Sequence, residues 1–233
     1  MHPKGLSLTL LATAFLSLPC LGHDLWIEGQ VQSRVLQYGH AVGSHQGEAS
    51  LTYPPERVTE SLCLDREGKT VAASTSQTYP VTLNADCSLT WFQTSSGYWS
   101  KTPYGTRNVP KDQAGQTFDS WLSMEGIKRL DLWHPEFSRP VGRHLELTPL
   151  ENPFRKGKGD KLALRAWHQG RPAAGVTVAY FGKPRGTTDP DGNINVRLQQ
   201  QGMQLIQASL TLPLQDPRAD KVIHASSLQF QMP

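Results

Sequence analysis

Cysteine is scarce, charge is sparse, and beyond Leu18 no apolar run approaches the length that crosses a membrane. Each shortage removes a class of protein. Three cysteines with no paired-cysteine motif around them leave little support for a thiolate metal site. The missing clusters of methionine and cysteine also disfavour a soft Cu(I) carrier. Charged residues make up only 18% of the chain and nearly balance, which excludes the broad basic footprint of a nucleic-acid binder. No nucleophile elbow, zinc-protease motif, phosphate loop or dinucleotide fingerprint occurs, so the chain is expected not to be an enzyme. The 17 prolines and 20 glycines, by contrast, are numerous enough to make long uninterrupted helices improbable in a chain of 233 residues.

The one long apolar stretch opens the chain. Lys4 precedes the run Leu6 to Leu18, Pro19 ends it, and Cys20 and Gly22 are small residues at the third and first positions before a proposed cut. These are the parts of a secretory signal peptide over residues 1–22. A lipoprotein start at Cys20 is the alternative, and Pro19 before it fits that motif poorly. Cleavage would remove Lys4 and no acid, lowering the formal charge from +3 to +2. The mature chain is expected to be soluble and, in an exported setting, to join Cys63 to Cys87.

Alternating and β-branched segments run through the rest. Val31 to Tyr38, Val58 to Leu64, Val71 to Ala73, Tyr79 to Leu83 and Leu89 to Gln93 read as strands of a meander or sandwich, with Trp91 and Phe92 on opposite faces. Gly97 to Gln116 reads as a long structured loop rich in aromatics. Trp121, Leu122, Met124 and Ile127 predict one helix over Phe118 to Leu130. His144 to Leu150 is another strand, and the turn at Glu151 to Phe154 marks a boundary between domains at 23–154 and 155–233. In the second, Leu162 to Ala166, Val176 to Phe181, Ile194 to Leu198, Met203 to Leu210 and Val222 to Phe230 predict an immunoglobulin-like or prealbumin-like sandwich. The fold class is therefore all-β, two sandwich-like domains with a short helix in the first. Asp189 and Asp191 belong to a turn, since the ligand series of a calcium loop is absent.

The chemistry concentrates at the proposed cut. A chain beginning at His23 carries an α-amine and an imidazole on one residue, a chelating pair of nitrogens. Asp24 adds an oxygen or orients the ring, and distant histidines would complete a nitrogen-rich site for Cu, Ni, Co or Zn. His40, His45 and His224 are the first choices, with His144 next; each is alternatively an ordinary loop or strand residue. A redox enzyme using a histidine-brace-like copper site also remains open.

The run Gly22-His23-Asp24-Leu25-Trp26-Ile27-Glu28 resembles a bacterial periplasmic family of unknown biochemical activity. So do Gly97-Tyr98-Trp99-Ser100, Leu147 to Pro153, Gly170-Arg171-Pro172, Asp191-Gly192 and His224-Ala225-Ser226. Members often accompany nickel, cobalt or other metal-uptake systems. The resemblance covers nearly all of the mature chain and implies a periplasmic metal-binding or delivery component, with Ni or Co ahead of Cu or Zn. A metal transporter or outer-membrane receptor is its implied partner. By matching motif it favours His23, Asp24 and His224; His40 and His45 are local additions. Two readings compete: a non-metal adaptor docking through the aromatic loop around Trp99 and Tyr104, and a carbohydrate-binding module.

Overall fold

Short β-branched and aromatic runs punctuated by glycine and proline fold into strands throughout. The computed structural model describes residues 23–30, 32–41 and 50–232, so the expected signal peptide and His45 lie outside the described residues. The first strands are β1 (Asp24–Glu28), β2 (Arg34–Gly39), β3 (Val58–Leu64), β4 (Thr70–Val71), β5 (Ser74–Thr75) and β6 (Thr82–Asn84). After them come β7 (Leu89–Thr102), β8 (Gly105–Arg107), the one-turn helix α1 (Lys111–Ala114), β9 (Asp119–Leu130) and β10 (Glu146–Pro149). The chain continues through β11 (Lys161–His168), β12 (Arg171–Pro172), β13 (Thr177–Tyr180), β14 (Lys183–Thr187) and β15 (Asn193–Arg197). It ends on the long pair β16 (Met203–Asp216) and β17 (Ala219–Gln231). The fold is all-β and sandwich-like.

Two sequence expectations change. Phe118 to Leu130 contains no helix: Asp119–Leu130 is strand β9, antiparallel to β7 on one side and parallel to β17 on the other. Apolar residues three and four apart satisfy a helix locally, but pairing along both edges stabilises the extended form. Gly126 was the contrary signal. It weakens a helix interior by about 1 kcal/mol, and here a Cβ would stand 2.4 Å from Cη2 of Trp91. The aromatic stretch after Gly97 is likewise less of a loop than expected, because β7 continues to Thr102 and turns back as β8.

The central sheet has nine strands in the order β14-β13-β16-β17-β9-β7-β3-β4, with β8 added at the end of β7. It joins β9 to β17 from either side of residue 154, the boundary expected from sequence. Side chains alternate across it. Phe92 and Ile127 enter a core with Leu25, Ile27, Leu36 and Leu83, under the small sheet β1-β2-β6-β5. Trp91, Leu130, Leu228 and Phe230 face the opposite way, into the core under β10, β11 and β15. The split of Trp91 from Phe92 follows the period-two reading.

Polar clamps tie each outer sheet to the centre. Fully buried Arg34 on β2 donates to Asp131 Oδ2 at 2.6 Å, and Arg129 donates both to Asp131 and to the Ile27 carbonyl. On the other face, Lys128 of β9 pairs with Glu146 of β10, both without solvent exposure. Cys63 and Cys87 are joined, with Cα atoms 5.2 Å apart, inside the core below β1 and β2. Closing a loop of this length contributes about 3 kcal/mol by restricting the unfolded chain. The Cys63→Ser/Cys87→Ser variant should lose that amount in a denaturant titration; an unchanged midpoint would show that the bond is thermodynamically idle.

Candidate functional site

Hairpin geometry brings the first residue of the expected mature chain to His40. Strands β1 and β2 pair with Asp24 opposite Gly39, so the residues just outside that pair, His23 and His40, become neighbours. Their ring centres are 5.1 Å apart. Nδ1 of His23 lies 2.9 Å from the Tyr38 hydroxyl, a residue of β2. Burial and the neighbouring His40 lower the pKa of His23, with Asp24 opposing. A lowered value favours the neutral imidazole, which is the form that binds metal.

Asp24 spends its carboxylate on positioning. Oδ1 accepts from Nε2 of Gln207 at 2.7 Å and Oδ2 from the Ala41 amide at 3.4 Å. It thereby holds the segment just after His40 against the end of β1. Tyr38 reaches inward to a small, mainly apolar pocket with Leu25, Leu36, Tyr53, Arg57 and Glu125. The Glu125 carboxyl accepts from Ser123 Oγ at 3.0 Å, and burial pushes its pKa above the ordinary value.

That carboxyl yields a signed pH prediction. The folded pKa exceeds the unfolded one, so the folded state retains its proton as pH rises through the usual carboxyl range and stability falls there. Glu125→Gln should be more stable than the parent at pH 7, with the advantage vanishing below about pH 4. Urea unfolding at both pH values checks it; a variant equally or less stable at pH 7 contradicts it.

His224 does not join His23. On β17 the odd residues face β1, as Gln229 shows by bonding both the Ile27 amide and carbonyl, while the even residues His224, Ser226, Leu228 and Phe230 face β10 and β11. His224 is only 5% exposed. It stands instead with His144 and His168, at ring-centre separations of 5.6 and 4.7 Å. His168 was not singled out from sequence, although the alternation Leu162, Leu164, Ala166 extends to it and assigns it the core-facing side of β11. The site residues expected together are thus divided: His23, Asp24 and His40 gather on one face, His224 sits on the other, and His45 lies outside the described residues. Among the described residues, no group of three or more His, Cys, Asp and Glu is already arranged to hold a metal ion.

Asp189 is occupied otherwise, since Oδ1 accepts the amides of Asp191 and Asn193 at 3.0 and 2.7 Å. That is the turn geometry expected from its sequence.

The family described as a domain of unknown function, DUF4198, matches residues 20–212, and the chain is a member of that family. No curated protein matches it.

Proposed function

We propose that the protein is a periplasmic divalent-metal-binding or delivery component of metal uptake or homeostasis, holding its ion at the N-terminus. The observation that carries this reading is the 5.1 Å approach of the His23 and His40 rings. Two imidazoles on one tetrahedral ion, with metal–nitrogen bonds of about 2.0–2.1 Å, hold their ring centres roughly 5 Å apart. If export leaves His23 first, its α-amine and ring plus the His40 ring make three nitrogen donors. The amine lies outside the side-chain types that form no complete group. A metal taking Nδ1 of His23 displaces the hydrogen bond to Tyr38, whose hydroxyl then borders the ion.

Neutral nitrogen donors suit Ni, Co, Cu and Zn rather than Ca or Mg. Nickel or cobalt is the preferred cargo, exchanged with a metal transporter or outer-membrane receptor, and no chemical turnover is required of the site. Calorimetric titration of the secreted, native-start chain with Ni, Co, Cu and Zn tests this. Saturable binding weakened by His40→Ala supports it. No specific binding of any of the four ions sinks it.

A second reading has its own observation. Tyr104, at the β7–β8 turn, is 94% exposed and Phe118 beside it in the chain's return is 65% exposed. Phe118 donates its amide to the Lys101 carbonyl at 2.8 Å, which keeps the two aromatics at the same end of the sheet. An adaptor contacting another envelope protein through this end would lose its complex on Tyr104→Ala with no dependence on metal.

A further inference from the structure

We propose that His144, His168 and His224 form a second transition-metal site, for an imidazole-preferring divalent ion such as copper(II) or zinc, separate from the N-terminal histidines. Strand alternation builds it. His224 projects from the middle of the central sheet toward β10 and β11, His168 ends β11, and His144 lies just ahead of β10. The ring separations of 4.7 and 5.6 Å from His224 bracket the roughly 5 Å that two imidazoles on one ion require.

The central ring is built for a partner that the described residues do not supply. His224 is 95% withdrawn from solvent as a residue, yet among the described residues its Nδ1 has no hydrogen-bond partner. Two residues on, Ser226 Oγ on the same face of β17 is also buried and unpartnered. A buried polar atom left unbonded forfeits its hydration without replacement, so such atoms are ordinarily satisfied. A cation on the histidine ring nitrogen removes that penalty at the residue that has the fewest alternatives.

The surroundings select the ion class. The rings set against His224 are the imidazoles of His168 and His144. Imidazole donors favour copper or zinc over calcium or magnesium. The sheet register also places Met124 of β9 beside His224 on the same face, a soft neutral neighbour that repels no cation.

The three rings are close but do not yet converge as a finished site. Loading therefore requires His144 and His168 to turn, which their half-buried positions permit, while His224 stays fixed in its strand. The Gln169 amide donates to the Arg143 carbonyl at 2.8 Å, so the backbones carrying the two mobile rings are already tied. Only side-chain rotation remains, at two residues that are half-buried rather than sealed in the core.

The test uses the full mature chain carrying His23→Ala and His40→Ala, which disables the terminal donors. Zinc titrated by calorimetry should bind at one ion per chain, and cobalt(II) should develop the visible absorption of a tetrahedral nitrogen site. Adding His144→Ala and His168→Ala should weaken binding by more than about tenfold and abolish the cobalt bands. His168→Gln, which keeps a polar head at the sheet edge, gives the same readout should the double change disturb folding. Failure of the His23→Ala/His40→Ala chain to bind zinc, or binding indifferent to His144 and His168, overturns the second site. Loss of terminal binding alone, in the chain with His144 and His168 altered, bears only on the N-terminal reading.

Discussion

Glu146→Ala should destabilise the protein by about 3–5 kcal/mol, the cost of stranding a buried charge. Lys128 and Glu146 are both fully buried, and they join β9 of the central sheet to β10 of the outer one. Lys128 also donates to the Arg139 carbonyl at 3.1 Å. Glu146 also accepts the amides of Val141 at 2.9 Å and Gly142 at 2.7 Å, so it fixes the segment leading to His144. Removing its carboxylate leaves the buried ammonium without a counter-charge and two amides without their acceptor at once. In a chain of this size the melting temperature should drop by roughly 10 °C or more. The pair itself need not be a net gain, because desolvating two charges offsets much of their attraction. Glu146→Gln with Lys128→Met retains an acceptor for the amides and no charge, and should recover most of the loss. Thermal melts of the parent, the single and the double variant decide this; a single variant within 1 kcal/mol of the parent, on the scale of ordinary surface changes, would contradict it.

The second large effect concerns metal. His23→Ala in a correctly started chain removes a ring nitrogen and breaks the chelate with the amine, so affinity at the terminal site should fall by more than about 100-fold, beyond what loss of an outer contact costs. Stability without metal should change little, because His23 is exposed and, among the described residues, its one side-chain hydrogen bond is to the Tyr38 hydroxyl. This separation of binding from folding is what a ligand shows and a structural residue does not. Equal nickel affinity in parent and variant, measured by competition with a chelator, would remove His23 from the site.

Much of the fold was legible because alternation is local. Leu162 to Ala166, Val176 to Phe181 and Ile194 to Leu198 read as strands and are strands, and export context paired Cys63 with Cys87. What sequence could not supply was pairing between distant segments. β9 and β17 are about a hundred residues apart, and their parallel contact is what makes residues 119–130 extended rather than helical. The same limit applied to the histidines. His23 and His40 flank one hairpin, so proximity followed from a short-range register. His224 faces away from them because of one unit of parity on β17, which depends on which side of that strand each outer sheet covers. His168 carried a usable signal, the even positions of β11, but nothing local linked it to residues 144 and 224.

The most direct test compares two secreted chains identical except at the start: one beginning at His23, one with a single glycine ahead of it. Intact mass establishes each start, and nickel titration follows on the same samples. The glycine leaves every side chain in place and moves only the amine away from the His23 ring. Tight one-ion binding by the first chain, weakened by more than about 100-fold in the second, is the predicted result. Equal affinities would contradict the terminal chelate, and with it the proposal that export creates the metal site.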